Sequence, residues 1–388
     1  MKDLGAMFVP VGGIETPLWY EANASLVDKY ADQIPERSGW AAAYWSPIQG
    51  AEHLALRDSA GLIDWTAGIG PIEVTGAGAT DYLNWLCSSN IAKKVGSVSY
   101  TLWLTEQGGI KRDVTLVRWA ENHYWVLTGK SNMPAEIAWM RQHAPTDGSV
   151  HITSQADTYI SLALWGPNAR QILEKTTEMD VSQSGLPFYQ ARSLDVGMVP
   201  AKVLRLSYAG ELGYEIYAPA NYGVHLWDTL WAAGRKFDLR AIGAGALFST
   251  RLEKGYRLYG ADMHTEHTPY EAGLDWLLDF EKGDFVGREA ALSAKAQGVE
   301  RKLVCLTFDD PHTVLFGFEP LLVDDTVVGH IASGNYGYTV GKFIAMAWLP
   351  SRFAEVGRSV TVQVNGEQYQ GSVAQEPLFD PAMSRMRA

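Results

Sequence analysis

Tyr100 to Leu116, Y-T-L-W-L-T-E-Q-G-G-I-K-R-D-V-T-L, is the stretch that decides how the chain is read. Two apolar runs meet at Gly108-Gly109, and only glycine accepts the positive φ of a tight primed turn without steric cost. The spacing therefore predicts a β-hairpin with those residues at its tip. A two-residue loop sets Leu104 opposite Asp113, Leu102 opposite Thr115 and Tyr100 opposite Val117. Side chains alternate along a strand, so Tyr100, Leu102, Leu104 and Asp113 share one face. A lone carboxylate among apolar neighbours, with a tyrosine two cross-strand pairs away, keeps its proton more tightly than a solvated acid and suits proton handling. The plainer reading pairs Asp113 with a neighbouring cation such as Lys111.

At 388 residues the chain is too long for one core and predicts two or three domains. Its composition, 47% hydrophobic and 20% charged, is that of a soluble globular protein. A net charge of -12 argues against a nucleic-acid binder, which needs a basic face. Cys87 and Cys305 are too few for a disulfide framework or a thiolate metal site, so a reducing cytoplasm is expected. The opening M-K-D-L-G-A-M-F-V-P does not read as a signal peptide, and no run approaches the roughly 20 apolar residues of a membrane span, so no membrane partner is expected. Fourteen Trp and eighteen Tyr are many for this length. Most serve as core, and a minority can line a pocket for a flat ligand.

Residues 1–50 read as irregular, aromatic-rich sequence packed against a core. A helix is predicted from Gln49 to Ala60 with Gly61 as its stop, then a strand from Leu62, a strand Pro71–Gly76 and a helix Ala79–Cys87. Beyond the central hairpin come a strand Tyr124–Thr128, a helix Met133–His143 and a polar turn Ala144–Ser149 that marks a boundary. A strand Tyr159–Trp165 and a helix Asn168–Lys175 follow. Lys202–Leu206 and Gly213–Tyr217 pair as a second hairpin, and helices are expected over Tyr222–Phe237 and Ile242–Lys254. From Arg301 short β runs separated by turn signals at Asp324-Asp325, Asn335 and Asn365-Gly366 predict a small all-β domain of barrel type.

The dinucleotide, Walker and nucleophile-elbow motifs are all missing: Gly68-Ile69-Gly70, Gly76-Ala77-Gly78 and Gly243-Ala244-Gly245 each lack the third glycine. His264-Thr265-Glu266-His267 has no evident third ligand, so no metal is expected.

Several stretches in order resemble one family. They are E-H-L-A-L-R-D-S-A-G-L-I-D (Glu52–Asp64), Gly108–Val114, L-W-G-P-N-A-R (Leu164–Arg170), L-S-Y-A-G-E-L-G-Y-E-I-Y (Leu206–Tyr217) and R-L-E-K-G-Y-R-L-Y-G-A-D (Arg251–Asp262). Thr268–Gly273, Asp284–Glu289 and S-G-N (Ser333–Asn335) continue the series. The set resembles the aminomethyltransferase family, the T protein of glycine cleavage, and is most similar to the folate-binding C-terminal half of dimethylglycine and sarcosine dehydrogenases. That resemblance implies an α+β, three-domain cloverleaf with a C-terminal β-barrel and a central channel for tetrahydrofolate. The expected units are 1–66 with 151–257, 67–150 with 258–300, and 301–388.

On the family's pattern Asp113 is the catalytic carboxylate. Tyr100, Tyr208 and Tyr256 fall on folate-contacting positions, and Glu215 accepts two hydrogen bonds from the pterin edge, which suits a bidentate carboxylate. Three departures stand out. The flavin domain of those dehydrogenases has no counterpart here, so this chain is not expected to oxidise an amine by that route, and for an amine donor the resemblance implies a separate oxidase as partner. Leu247-Phe248 replaces a charged Arg-Asp pair. Gly68 lies where a bulky Met or Phe is usual, which is expected to open space beside the reacting carbon. Tyr256 after Lys254-Gly255 argues against the related iron–sulfur assembly role, which places cysteine there.

The resemblance thus implies a tetrahydrofolate-dependent one-carbon transferase in which Asp113 assists attack of N5 on a methyl or methylene carbon. The small-molecule donor is expected to be bulkier than glycine, an aryl methylenedioxy or methoxy compound as in related demethylases, with an N-methyl amine or its iminium as the alternative. A folate-binding regulator without chemistry is the alternative from another class.

Overall fold

The computed structural model describes residues 1–388 except Gly12 and Tyr44, the latter inside the aromatic opening segment. Two sheets and a barrel carry the chain. The six-stranded sheet runs Ala191–Val196, Val199–Leu204, Gly213–Pro219, Tyr159–Trp165, Ala60–Asp64, Leu239–Ala241, and only its last pair is parallel. The five-stranded sheet is antiparallel throughout, in the order Val98–Leu104, Ile110–Ala120, His123–Gly129, Ile69–Thr75, His151–Ser154. Beyond them, six strands from Arg301–Phe308 to Glu367–Ala374 close into a barrel through pairing of the first with the last.

Each sheet buries its outer face under helices and turns its inner face to the other sheet. Ala169–Glu174 and Gly223–Gly234 cover the six-stranded sheet. Ala79–Leu86 and Met133–His143 cover the five-stranded one. Between the inner faces Val98, Val117, Trp125 and Leu127 pack against Ala191, Leu204 and Tyr217. The helix Pro47–Asp58 starts where Ser46 accepts the Ile48 N–H at 3.3 Å with proline at the first position, and it leans Ala51, Leu54 and Ala55 on the barrel core.

The central hairpin forms, with a different tip. Thr105 N–H donates to the Gly109 carbonyl (2.8 Å) and Gly108 N–H to the Thr105 carbonyl (2.9 Å), so the loop is Glu106-Gln107-Gly108 and only Gly108 has positive φ (84°). Gly109 is needed for another reason: a Cβ there would lie 1.9 Å from the Thr265 carbonyl oxygen. This loop and a bulge between Trp103 and Leu104 shift the pairing, setting Leu102 opposite Asp113, Tyr100 opposite Thr115 and Val98 opposite Val117. The slip from the expected register is two residues, and an even slip leaves every side chain on its face.

Other expectations change as well. The opening segment contains a two-stranded ribbon, Ala6–Val11 with Ile14–Tyr20. Gly61 lies inside the strand Ala60–Asp64, and the preceding helix ends at Asp58 with Ser59 as its cap. Asn335 is a strand residue of Thr326–Gly337, not a turn. The barrel has a sixth strand, Glu367–Ala374, beyond the five runs read from the sequence. The strand His151–Ser154 pairs with Ile69–Thr75, so the chain leaves the five-stranded sheet after residue 154, not at 150.

Candidate functional site

The inner faces of the two sheets enclose a cavity of about 760 Å³, and Tyr100, Asp113, Tyr208, Glu215 and Tyr256 all line it. Five residues named from three separate stretches of sequence therefore meet in one place.

Asp113 is half-buried in the wall formed by the five-stranded sheet. Tyr100 Oη donates to its Oδ2 at 3.1 Å. Burial pushes the Asp113 carboxyl up, while the Arg112 charge and the Tyr100 hydrogen bond work against that rise. Lys111 makes no ion pair with Asp113 among the described residues; its ammonium lies 5.9 Å from the Trp139 ring centroid. The simple ion-pair reading of Asp113 therefore fails.

Glu215 sits on the six-stranded sheet, opposite Ala163 on one side and Leu204 on the other. Only 2% of it is exposed, and burial pushes its carboxyl up to about 7. Tyr217 Oη donates to Oε2 at 2.7 Å, and among the described residues no donor reaches Oε1. Tyr208 donates to the Arg257 carbonyl (2.7 Å) and stacks on Tyr256, with centroids 5.6 Å apart and 20° between the planes. Tyr256 Oη donates to Met386 Sδ at 2.9 Å.

The walls include residues that sequence reasoning missed. Tyr217, which bonds Glu215 without lining the cavity itself, was readable, since alternation puts it on the same face as Glu215 two positions away. Arg112, Tyr189 and Trp276 carried no such signal, nor did the late segment holding Glu376, Pro377, Met383 and Met386. That segment is tied down by Arg257, which bonds both Glu376 oxygens at 2.8 and 2.6 Å, and by Arg385, which bonds both Glu211 oxygens at 2.9 and 2.7 Å. Gly68 lines the cavity, and a Cβ there would meet Trp65 ring carbons at 3.1 and 3.2 Å. Leu247 and Phe248 both line the cavity.

The remaining motif residues hold the parts together. Arg251 bonds Asp262 (2.5 Å) and Ser333 (3.0 Å), and Ser333 bonds Asp262, so two of the quoted stretches meet at one buried cluster. Glu52 accepts from Tyr20 N–H, Asn23 Nδ2 and Gly243 N–H at 2.7 to 2.9 Å. The His264–His267 stretch backs the hairpin: the His267 carbonyl accepts the Ile110 N–H (2.8 Å), and the His267 ring stacks on Trp348 at 4.0 Å. Among the described residues no group of three His, Cys, Asp or Glu is placed to hold a metal.

Known proteins share this architecture. The GCVT N-terminal domain matches residues 1–282, and the glycine cleavage T-protein C-terminal barrel domain matches residues 301–380. An aminomethyltransferase of Halothermothrix orenii is 33% identical over 369 residues, covering 94% of this chain and 99% of its own length. The mitochondrial dimethylglycine dehydrogenase of Rattus norvegicus is 31% identical over 97% of this chain, which spans 43% of that longer protein. The crystal structure of glycine cleavage system aminomethyltransferase T from Bartonella henselae superposes with a TM-score of 0.83 at 25% identity, covering 97% of this chain and 95% of that one. With its sheets, barrel and cavity arranged in this way, the chain belongs to the aminomethyltransferase family of tetrahydrofolate-dependent one-carbon transferases.

Proposed function

We propose that the cavity holds tetrahydrofolate between its two walls, with Glu215 on the pterin edge and Asp113 beside the reacting nitrogen. One observation carries this reading: two carboxylates on opposite walls of a single cavity, each with a tyrosine hydroxyl as its side-chain partner. Reduced folate supplies a nucleophilic amine, N5, that accepts a methyl or methylene carbon. Glu215 Oε1 is free to accept ring N–H groups, and the Tyr208–Tyr256 stack gives a flat ligand an aromatic wall. Asp113 holds or takes a proton at its carboxylate and stabilises positive charge that develops on the transferred carbon, while Tyr100 fixes its orientation.

For the donor we favour an N-methyl amine or its iminium delivered by a separate oxidase, a reading supported by the similarity to dimethylglycine dehydrogenase. A second reading, an aryl methoxy or methylenedioxy donor, rests on the flat rings of Trp65, Phe248 and Trp276 around the cavity. The division into 1–66 with 151–257, 67–150 with 258–300, and 301–388 belongs to this proposal, with the second crossing moved past residue 154. Free, buried Cys87 and Cys305 support a reducing compartment, and among the described residues no helix is long and apolar enough to cross a membrane.

Asp113→Ala tests the reading. Both donor classes are offered with tetrahydrofolate and the folate product is read by mass. The expected outcome is one-carbon transfer by the parent, lost in the variant while folate still binds. A parent that binds folate and transfers nothing from any donor would establish the regulator instead.

A further inference from the structure

Arg112 immediately precedes Asp113, and its side chain is 6% exposed. One edge of its guanidinium is occupied. Nε forms an ion pair with Glu136 Oε1 (2.8 Å) and donates to Thr128 Oγ1 (3.3 Å), and Thr128 Oγ1 donates to Glu136 Oε2 (2.5 Å). The Tyr259 ring lies 4.4 Å from the guanidinium carbon. The far end is different: Nη1 is buried, and among the described residues neither Nη1 nor Nη2 meets an acceptor. A buried donor on a charged group without a partner is costly, and such groups are rare in folded proteins.

That end is kept clear by the backbone. A Cβ on Gly129 would sit 2.6 Å from Arg112 Nη2, so any larger residue there would displace the guanidinium. Arg112, Gly129, Ser131, Asn132 and Tyr259 line the same cavity as Asp113. With Glu136 fixing the Nε edge, the two Nη groups form a planar fork of the kind that matches a carboxylate.

We propose that Arg112 is a specificity-determining residue that receives a carboxylate carried by the one-carbon donor. The inference rests on the folate-transfer reading for the word donor, and not for the anion preference itself. N-methyl amino acids and aromatic acids share this chemistry, and the same cavity then holds the carboxylate at Arg112 and the transferable carbon within the reach of Asp113.

The test titrates the full chain by calorimetry with sarcosine, dimethylglycine, 4-methoxybenzoate and 3,4-methylenedioxybenzoate, each against its neutral primary amide. One of the two sets is expected to bind about tenfold or more tightly as the acid, and the set that does so names the source. The preference should disappear in the double variant Arg112→Gln, Glu136→Gln, which removes the ion pair without stranding a charge, and should weaken in Gly129→Ala. No acid outbinding its amide, or a preference that survives the double variant, overturns the proposal. So does a loss confined to tetrahydrofolate and absent for tetrahydropteroate, since Arg112 would then serve the folate's glutamyl tail. Tetrahydrofolate titrated alone decides the folate reading separately, because a chain that ignores folate still shows or lacks the acid preference.

Discussion

Two groups of buried carboxylates in this molecule are treated in opposite ways. Around the helix Pro47–Asp58, Glu253 accepts from Arg57 at 2.9 Å, lies 3.3 Å from His53 Nε2 and accepts the Thr339 and Val340 N–H groups at 2.8 and 3.1 Å. Burial works to raise its pKa, and His53 and Arg57 outweigh it, holding Glu253 down at about 2. In the cavity, Asp113 and Glu215 have no cationic side chain bonded to them among the described residues, and burial raises both. The paired group spends its hydrogen-bonding capacity on the fold, whereas the cavity pair keeps capacity open for a ligand. A raised pKa alone does not make this distinction. Glu52 is pushed up to about 8 by burial, yet it is filled by three donors and lies outside the cavity. What separates the two groups is an unfilled oxygen facing a space.

Substitutions can break this comparison at both ends. The largest effect is expected from Asp113→Asn: turnover should fall by about 10²–10⁴-fold with folate affinity nearly unchanged, read by steady-state rates and a binding titration. Arg57→Gln removes the buried guanidinium that Glu253 and Glu211 share, leaving Glu211 on Arg385 and Glu253 on His53 and two backbone N–H groups, so denaturant unfolding should show a loss of about 3–5 kcal/mol while the cavity's ligand preference survives in the folded fraction.

Glu215→Gln sharpens the comparison through pH. Folded Glu215 keeps its proton up to about 7, whereas the unfolded chain releases it in the ordinary glutamate range. The folded state therefore binds the extra proton, and this residue's contribution to stability declines as pH rises from the ordinary glutamate range through about 7. The difference between parent and variant should span about 3 kcal/mol over that window, measured by urea unfolding at a series of pH values. Folate affinity should run the other way, rising as pH passes about 7 in the parent and staying flat and weaker in the variant. The smallest effect is expected from Tyr100→Phe. The Tyr100 hydrogen bond lowers the Asp113 pKa, so its removal should move the acid limb of the pH–rate profile to higher pH, with a loss of only several-fold in rate.

What was legible in the chain follows the range of the interaction. Gly108-Gly109 announced the hairpin, and the face of Asp113 came out right because the register error was even. The helix Met133–His143 and the strand Tyr159–Trp165 begin and end where their patterns do. The opening ribbon was hidden by Pro10 and Pro17, which count against strands in sequence and are tolerated in a two-stranded ribbon. The last barrel strand begins E-Q-Y-Q and is too polar to announce itself, although Asn365-Gly366, both at positive φ, mark the tight turn before it. Arg112's open end and the wall built from residues 376–386 could not be read at all, because each depends on neighbours far away in sequence.

Asp113 and Glu215 belong to separate sheets, whose edges are stitched near the site by few backbone links, among them Val98 N–H to the Tyr189 carbonyl and Ala191 N–H to the Gly96 carbonyl. A rigid bicyclic guest touching both acids, as proposed, would add a strut to the apolar contacts and backbone links that already join the two layers. Occupancy should be felt as mechanical stiffening well beyond the contact residues: saturating ligand ought to raise the melting temperature and to slow amide exchange in both sheets together.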